Sequence, residues 1–334
     1  MTTRRDFLKA AVIGAGAASM PAFAAPAVAA APIERKFGPQ MRLSLAAYSL
    51  RSQLKTAPTA DDLAGSGMNL AGFIDFCASI GMSATELTGY YFPKFVQETP
   101  THRPPADLMS EDPAVRQARV DGAIDYLTGL KNQAFRLGVE ISGTAIGNDF
   151  CVPEGPQWAA QINLCKDWID RASILGAPVI RIFAGRVPDG DTEENAVKRC
   201  AVAIDECLKY AARRGVFLAL ENHGGITATP AQMLKIVEAV EPSPWFGVNF
   251  DSGNFRTDDP YRDLALIAPY AVNAQVKASV FVGDKKQPAD FERIVGILKD
   301  ADYRGYVVLE YEEPDDALTE IPKLVERLHK IIEV

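Results

Sequence analysis

From about residue 40 onward, short apolar runs rich in β-branched and aromatic residues alternate with longer stretches whose apolar residues recur at helical spacing. Eight of the short runs read as strands: residues 42–48, 84–88, 139–144, 179–184, 216–221, 246–251, 272–277 and 306–311. Helical patterns follow them near 69–79, 113–137, 158–175, 192–214, 230–240, 260–268, 289–300 and 316–333. Three helix ends carry the same punctuation, Leu137-Gly138-Val139, Leu175-Gly176-Ala177 and Arg214-Gly215-Val216. Glycine just past a helix tolerates the left-handed conformation that closes it.

Strict alternation of strand and helix implies parallel strands joined by crossover helices. Eight such units fit a single α/β domain, a (β/α)8 TIM barrel spanning residues 40–334. An open doubly wound sheet is the other arrangement with this alternation. No Gly-x-Gly-x-x-Gly follows the first strand, which argues against its dinucleotide-binding form. The connection 90–112 is long and carries Pro93, Pro100, Pro104 and Pro105. It follows the second strand, so it is expected to form a lid or pocket wall on the active face.

The first 31 residues have a different character. Thr3-Arg4-Arg5-Asp6-Phe7-Leu8-Lys9 precedes an Ala/Gly-rich apolar run with small-residue sites at Ala22-Phe23-Ala24 and Ala27-Val28-Ala29. This reads as a twin-arginine export signal, engaging the twin-arginine machinery and delivering the chain to the periplasm. Pro21 and Pro26 interrupt the run, making it a poor permanent membrane span. Cleavage removes three positive charges and one negative charge, taking the formal net charge from −8 to −10. An acidic surface of this kind argues against nucleic acid as a partner. The five cysteines include no Cys-x-x-Cys pair and are expected to be buried free thiols.

The last four strands end in polar residues that a barrel core would not select. They read Leu218-Ala219-Leu220-Glu221-Asn222-His223, Val248-Asn249-Phe250-Asp251, Ala274-Gln275-Val276-Lys277 and Val307-Val308-Leu309-Glu310. Side chains alternate along a strand, so Glu221 shares a face with His223 and Gln275 with Lys277, while Leu220, Val276 and Leu309 face the helices. Glu221, Asp251, Gln275 and Glu310 are thus expected to converge at the barrel mouth. Three close carboxylates repel one another unless a cation or shared protons compensate. A divalent metal is the simplest compensator, and an all-oxygen donor set favours Mn²⁺ or Mg²⁺ over zinc. His223 is a candidate for substrate contact or acid–base work. Lys277 is one for substrate contact or oxyanion stabilisation, or alternatively for a salt bridge to a ligand carboxylate. Arg181, in phase with Phe183 on the fourth strand, and Glu86 and Tyr48, on early strands, are weaker pocket candidates.

These strand ends, together with Asn249-Phe250-Asp251-Ser252-Gly253-Asn254, resemble the xylose-isomerase-like barrel superfamily of sugar isomerases and epimerases over essentially the whole mature chain. The resemblance to ketose 3-epimerases and inosose-dehydratase-like proteins implies a Mn²⁺, Co²⁺ or Mg²⁺ site formed by Glu221, Asp251 and Glu310. Gln275 stands where the family usually has His, and Asn254 where epimerases often have a second, substrate-facing His. It further implies that Glu221 and Glu310 act on opposite faces of the substrate. The implied activity is isomerisation or epimerisation of a sugar or keto-sugar through an enediolate. A lyase acting on a 3-keto-glycoside is the alternative on the same site. A non-catalytic sugar-binding barrel is a rival reading. An endonuclease-IV-like nuclease is disfavoured, because it needs a His-rich three-zinc cluster and this acidic chain has three histidines.

If Arg4 and Arg5 form the export signal, Arg4→Lys with Arg5→Lys should leave unprocessed precursor in the cytoplasm. Fractionation and immunoblotting check this; normal periplasmic delivery of the double variant would overturn it.

Overall fold

A computed structural model describes residues 31–96 and 113–333. The signal segment and most of the 90–112 connection, including His102, lie outside the described residues. Among the described residues, eight parallel strands close into a barrel. They are β1 (Gln40–Ala46), β2 (Ala84–Thr88), β3 (Glu140–Ala145), β4 (Val179–Ile182), β5 (Phe217–Glu221), β6 (Phe246–Asp251), β7 (Ala271–Lys277) and β8 (Arg304–Glu310). Each strand pairs with its neighbours in sequence, and β1 closes the ring on β8 from Gln40↔Arg304 to Leu45↔Leu309. The principal helices alternate with them: α1 (Leu70–Ser79), α2 (Pro113–Leu137), α3 (Pro156–Leu175), α4 (Glu193–Arg214), α5 (Pro230–Ala239), α6 (Pro260–Ile267), α7 (Phe291–Asp300) and α8 (Ala317–Ile332). The expected single (β/α)8 barrel is the observed fold.

Local chemistry explains the element ends. Gly176 and Gly215 close α3 and α4 in the left-handed region, at φ of 82° and 69°. Thr229 caps α5 by accepting from the Gln232 amide, and Pro230 supplies the preset φ of its first turn. Two differences from the expected boundaries bear on the site. β1 starts and ends two residues earlier, so Tyr48 lies in a 3-10 turn (Ala47–Leu50) rather than on the strand. β4 stops at Ile182, and Phe183 has already left the ladder.

A second feature went unforeseen. Arg256–Thr257, Ser279–Val282 and Lys285–Pro288 form a small three-stranded sheet beyond the ends of β6 and β7. Its hairpin pairs Val282 with Lys285 across Gly283-Asp284, with Gly283 at φ 56°. A two-residue Gly-Asp loop between β-rich runs is a hairpin signal.

The helix–barrel interface is anchored on Trp168 of α3, which is 2% exposed. Its indole N–H donates to Thr144 Oγ1 at 3.0 Å, and that hydroxyl donates to the Leu87 carbonyl at 2.6 Å. The ring packs edge-on to Phe92 and lies so close to Gly89 that a Cβ there would meet it at 2.9 Å. Trp168→Ala should therefore destabilise the barrel by about 3–5 kcal/mol, through a cavity and a lost donor. Trp168→Phe, which keeps most of the packing, should cost clearly less. Urea unfolding of both variants checks the order.

Candidate functional site

The strand-end motif sets the backbone of the barrel mouth before it sets any chemistry. Asn222, just past β5, donates from Nδ2 to the Asp251 carbonyl and accepts from the Asp251 amide, each at 2.9 Å. Asn148, just past β3, makes the same pair of bonds to Phe183, at 2.7 and 2.9 Å. Two side-chain amides thus carry the ladder one step beyond the last paired strand residues.

Below the mouth, buried amides form a continuous polar ladder. In register, Glu221 lies beside Asn249, Asn249 beside Asn273, and Asp251 beside Gln275. Asn249 Nδ2 donates to Gln275 Oε1 at 2.7 Å and reaches Glu221 Oε2 at 3.3 Å. Asn273 Nδ2 donates to Asn249 Oδ1 at 2.8 Å and to Glu86 Oε2 at 3.0 Å. Gln275 Nε2 donates to Glu86 Oε1 at 2.7 Å. Glu86, expected as a pocket residue, is instead sealed at 1% exposure, with both oxygens accepting from amides. Burial and the nearby Glu310 push its carboxyl up to about 7.

Two buried cations sit among the strand-end carboxylates. Arg181 Nε lies 2.9 Å from Glu221 Oε2, a charge contact rather than an aligned hydrogen bond, since this N–H has no hydrogen-bond acceptor. Arg181 is fixed further by donating to the Ile146 carbonyl at 2.8 Å and by lying 3.9 Å over the Phe183 ring. Lys277 Nζ lies 3.2 Å from each of Asp251, Glu310 and Glu312, and 3.1 Å from Asn254 Oδ1. Asn254 in turn donates to Glu221 Oε1 at 2.9 Å, linking the two ion-paired groups. Burial pushes Asp251 up to about 7, and the Lys277 ammonium pulls the other way. Burial likewise raises Glu221 well above the usual carboxylate range against the pull of Arg181. For Lys277 burial alone would favour the neutral amine, but Asp251, Glu310, Glu312 and Glu221 together keep it charged.

Above this cluster opens a cavity of about 550 Å³, a size that suits a small-molecule ligand. Arg181, Glu221, Lys277, Glu310 and Glu312 line its polar side. Phe183 and His223, with ring centroids 4.1 Å apart and planes 31° apart, line the β4–β5 side, and Tyr48, Tyr90 and Tyr91 line the β1–β2 side. Burial, with Arg181 and Lys277 nearby, lowers the His223 pKa to about 3, so its imidazole is neutral at ordinary pH.

The match of a family model described as a xylose isomerase-like TIM barrel runs over residues 74–331. The chain belongs to this family. No curated protein matches the sequence. Solved structures with the same fold include an L-ribulose 3-epimerase, 15% identical, with a TM-score of 0.63 over 88% of this chain and 95% of that protein. The 3-keto-D-glucoside 4-epimerase YcjR of E. coli is 13% identical, with a TM-score of 0.58 over 83% and 99% of the two chains. AsbF of Bacillus anthracis, described as a probable 3-DHS dehydratase, is 16% identical, with a TM-score of 0.58 over 86% and 99%.

Within this xylose isomerase-like barrel, the expected residues divide into two levels. Glu221, Glu310, His223, Lys277, Arg181 and Tyr48 share the cavity wall. Asp251, Gln275, Asn254 and Glu86 do not line it. Nor do the four proposed ligands Glu221, Asp251, Gln275 and Glu310 form a cage as placed. Glu221 is held by Arg181, Asp251 and Glu310 by Lys277, and the Gln275 amide is spent on Asn249 and Glu86. Among the described residues no group of three or more His, Cys, Asp or Glu is arranged to hold a metal ion. The donor set as it stands therefore does not fit a divalent ion. Asn249, Asn273, Tyr90 and Glu312 were missed in the sequence. The first three carried a usable signal: Asn249 and Asn273 lie two residues before Asp251 and Gln275 on the same inward face, and Tyr90 lies just past β2.

Asn249→Ala would strip a donor from Gln275 and Glu221 and an acceptor from Asn273, all in a site closed to water. Such stranded groups cost about 1–3 kcal/mol, so this variant should melt well below wild type with its backbone fold retained. Differential scanning calorimetry and far-UV circular dichroism check the two halves of that expectation.

Proposed function

We propose that this chain is an isomerase or epimerase of a sugar or keto-sugar, working by proton transfer next to a carbonyl. The observation that carries the reading is the composition of one cavity wall: two strand-end glutamates, Glu221 and Glu310, and two buried cations in reach of the same ligand. Glu221 ends β5 and Glu310 ends β8, three strands apart around the ring, so they approach a ligand from different sides. The names of the structural neighbours, two of them sugar epimerases, agree with it.

In this reading one glutamate takes the proton from the carbon beside the substrate carbonyl. The electron pair of that C–H bond moves into the new C=C bond, and the carbonyl π pair moves onto oxygen. Lys277 or Arg181 stabilises the resulting enediolate oxygen, already charged and oriented before substrate arrives. If the glutamate on the other side is protonated beforehand, it returns a proton to the opposite face and inverts the carbon; a proton returned to the neighbouring carbon, with the hydroxyl proton passing to the former carbonyl oxygen, isomerises the sugar. Neutral His223, stacked on Phe183, offers a hydrogen bond to a substrate hydroxyl and a flat apolar face to a sugar ring. No step is assigned to a metal ion. A substrate carrying a leaving group on the β-carbon would instead lose it from the same intermediate, and one neighbour is described as a probable dehydratase.

A panel of ketoses and 3-keto-glycosides, incubated in D₂O, tests the reading. At least one should take up deuterium at the carbon next to its carbonyl, with epimer, isomer or elimination product identifying the outcome. Glu310→Gln and Glu221→Gln should each retain binding and lose turnover by roughly 10²–10⁴-fold. The double variant should lose less than the product of the two, because the pair acts as a unit. Sugar binding with no exchange on any compound would leave a binding protein; full turnover in both glutamine variants would move the base elsewhere.

A further inference from the structure

Asp251 is fully buried and does not line the cavity, whereas Lys277, directly above it, does. The ammonium thus lies between the ligand space and the carboxylate deepest in the cluster, touching Asp251, Glu310 and Glu312 at 3.2 Å each. Its stem is accommodated by design of the neighbouring turn. A Cβ on Gly253 would meet Lys277 Cδ at 2.8 Å and Lys277 Cβ at 3.1 Å, so only glycine leaves the arm this path. The turn is itself held by the Gly253 amide donating to Asp251 Oδ1 at 2.8 Å and by the Lys277 amide donating to Ser252 Oγ at 2.9 Å. Asp251 Oδ2 has no hydrogen-bond donor, so the ammonium is its compensating charge. Gln275, the one uncharged member of the expected ligand set, accepts from Asn249 and donates to Glu86.

We propose that Lys277 is the resident counter-cation of this cluster and occupies the place where the strand-end carboxylates would otherwise require a divalent ion. The cluster's cation is then supplied by the chain itself, and a metal ion enters only by displacing the ammonium. This deepens the reading of the same site, but its test involves no sugar, so either can fail without the other.

The test measures metal content, Mn²⁺ affinity by titration calorimetry, and melting temperature with and without EDTA, on purified wild type, Lys277→Met and Lys277→Arg. Wild type should carry well under one equivalent of metal and melt at the same temperature after chelation. Lys277→Met removes a like charge from within about 4 Å of any ion bound there and should take up Mn²⁺ about tenfold or more tightly than wild type. It should also melt lower than wild type in EDTA and recover with Mn²⁺, while Lys277→Arg should behave like wild type. One tightly held metal per wild-type chain, whose removal lowers the melting temperature, would overturn the proposal. So would Mn²⁺ binding in Lys277→Met no tighter than in wild type. Should Lys277→Met fail to fold, the wild-type chelation measurement decides alone.

Discussion

The barrel mouth depends on neutralising carboxylates that have been taken out of water. Glu86, Glu221, Asp251 and Glu310 are each at most 6% exposed, and isolated charges in such places cost several kcal/mol apiece. Arg181 and Lys277 answer three of these from different strands, one at Glu221 and the other shared between Asp251 and Glu310, while Glu86 is held by the Asn273 and Gln275 amides. Asn254 ties the two ion-paired groups together. Removing either cation leaves uncompensated charge in a sealed space, so the cluster stands or falls as a unit.

The amide ladder beneath is the second half of the same solution. Barrel interiors are usually filled by branched apolar side chains. Here Asn249, Asn273 and Gln275 replace them, each with a partner for the groups it buries. Glu86 is drawn into this layer rather than into the cavity, which makes it a support for the site's floor. The cavity above is correspondingly divided, with charge on one side and aromatic rings from β1–β2 and β4–β5 on two others.

The repeat of strand, helix and glycine was legible because its signals are local: periodicity, caps and left-handed glycines act within a few residues. The inward phase of Glu221, Asp251, Gln275, Lys277 and Glu310 was legible for the same reason, since alternation along a strand needs no tertiary information. Depth was not. Gln275 and Lys277 point the same way two residues apart on one strand, but which of those levels meets the cavity floor depends on the stagger of the neighbouring strands, which no single strand encodes. Nor could the sequence show which cation would answer the carboxylates. That depended on Arg181 and Lys277 arriving from different strands, and on Gly253 clearing a path for one of them.

The paired amide bonds of Asn148 and Asn222 have a consequence for how this barrel could change its specificity. They pin the chain just where β3–β4 and β5–β6 cease to pair, so the rim keeps its shape independently of the residues that point into the cavity. Phe183 is held through its backbone and His223 through its amide to Thr227, which leaves both rings replaceable without moving the chain that carries them. Selection can therefore rewrite the wall facing a ligand one side chain at a time, on a frame whose geometry is already guaranteed.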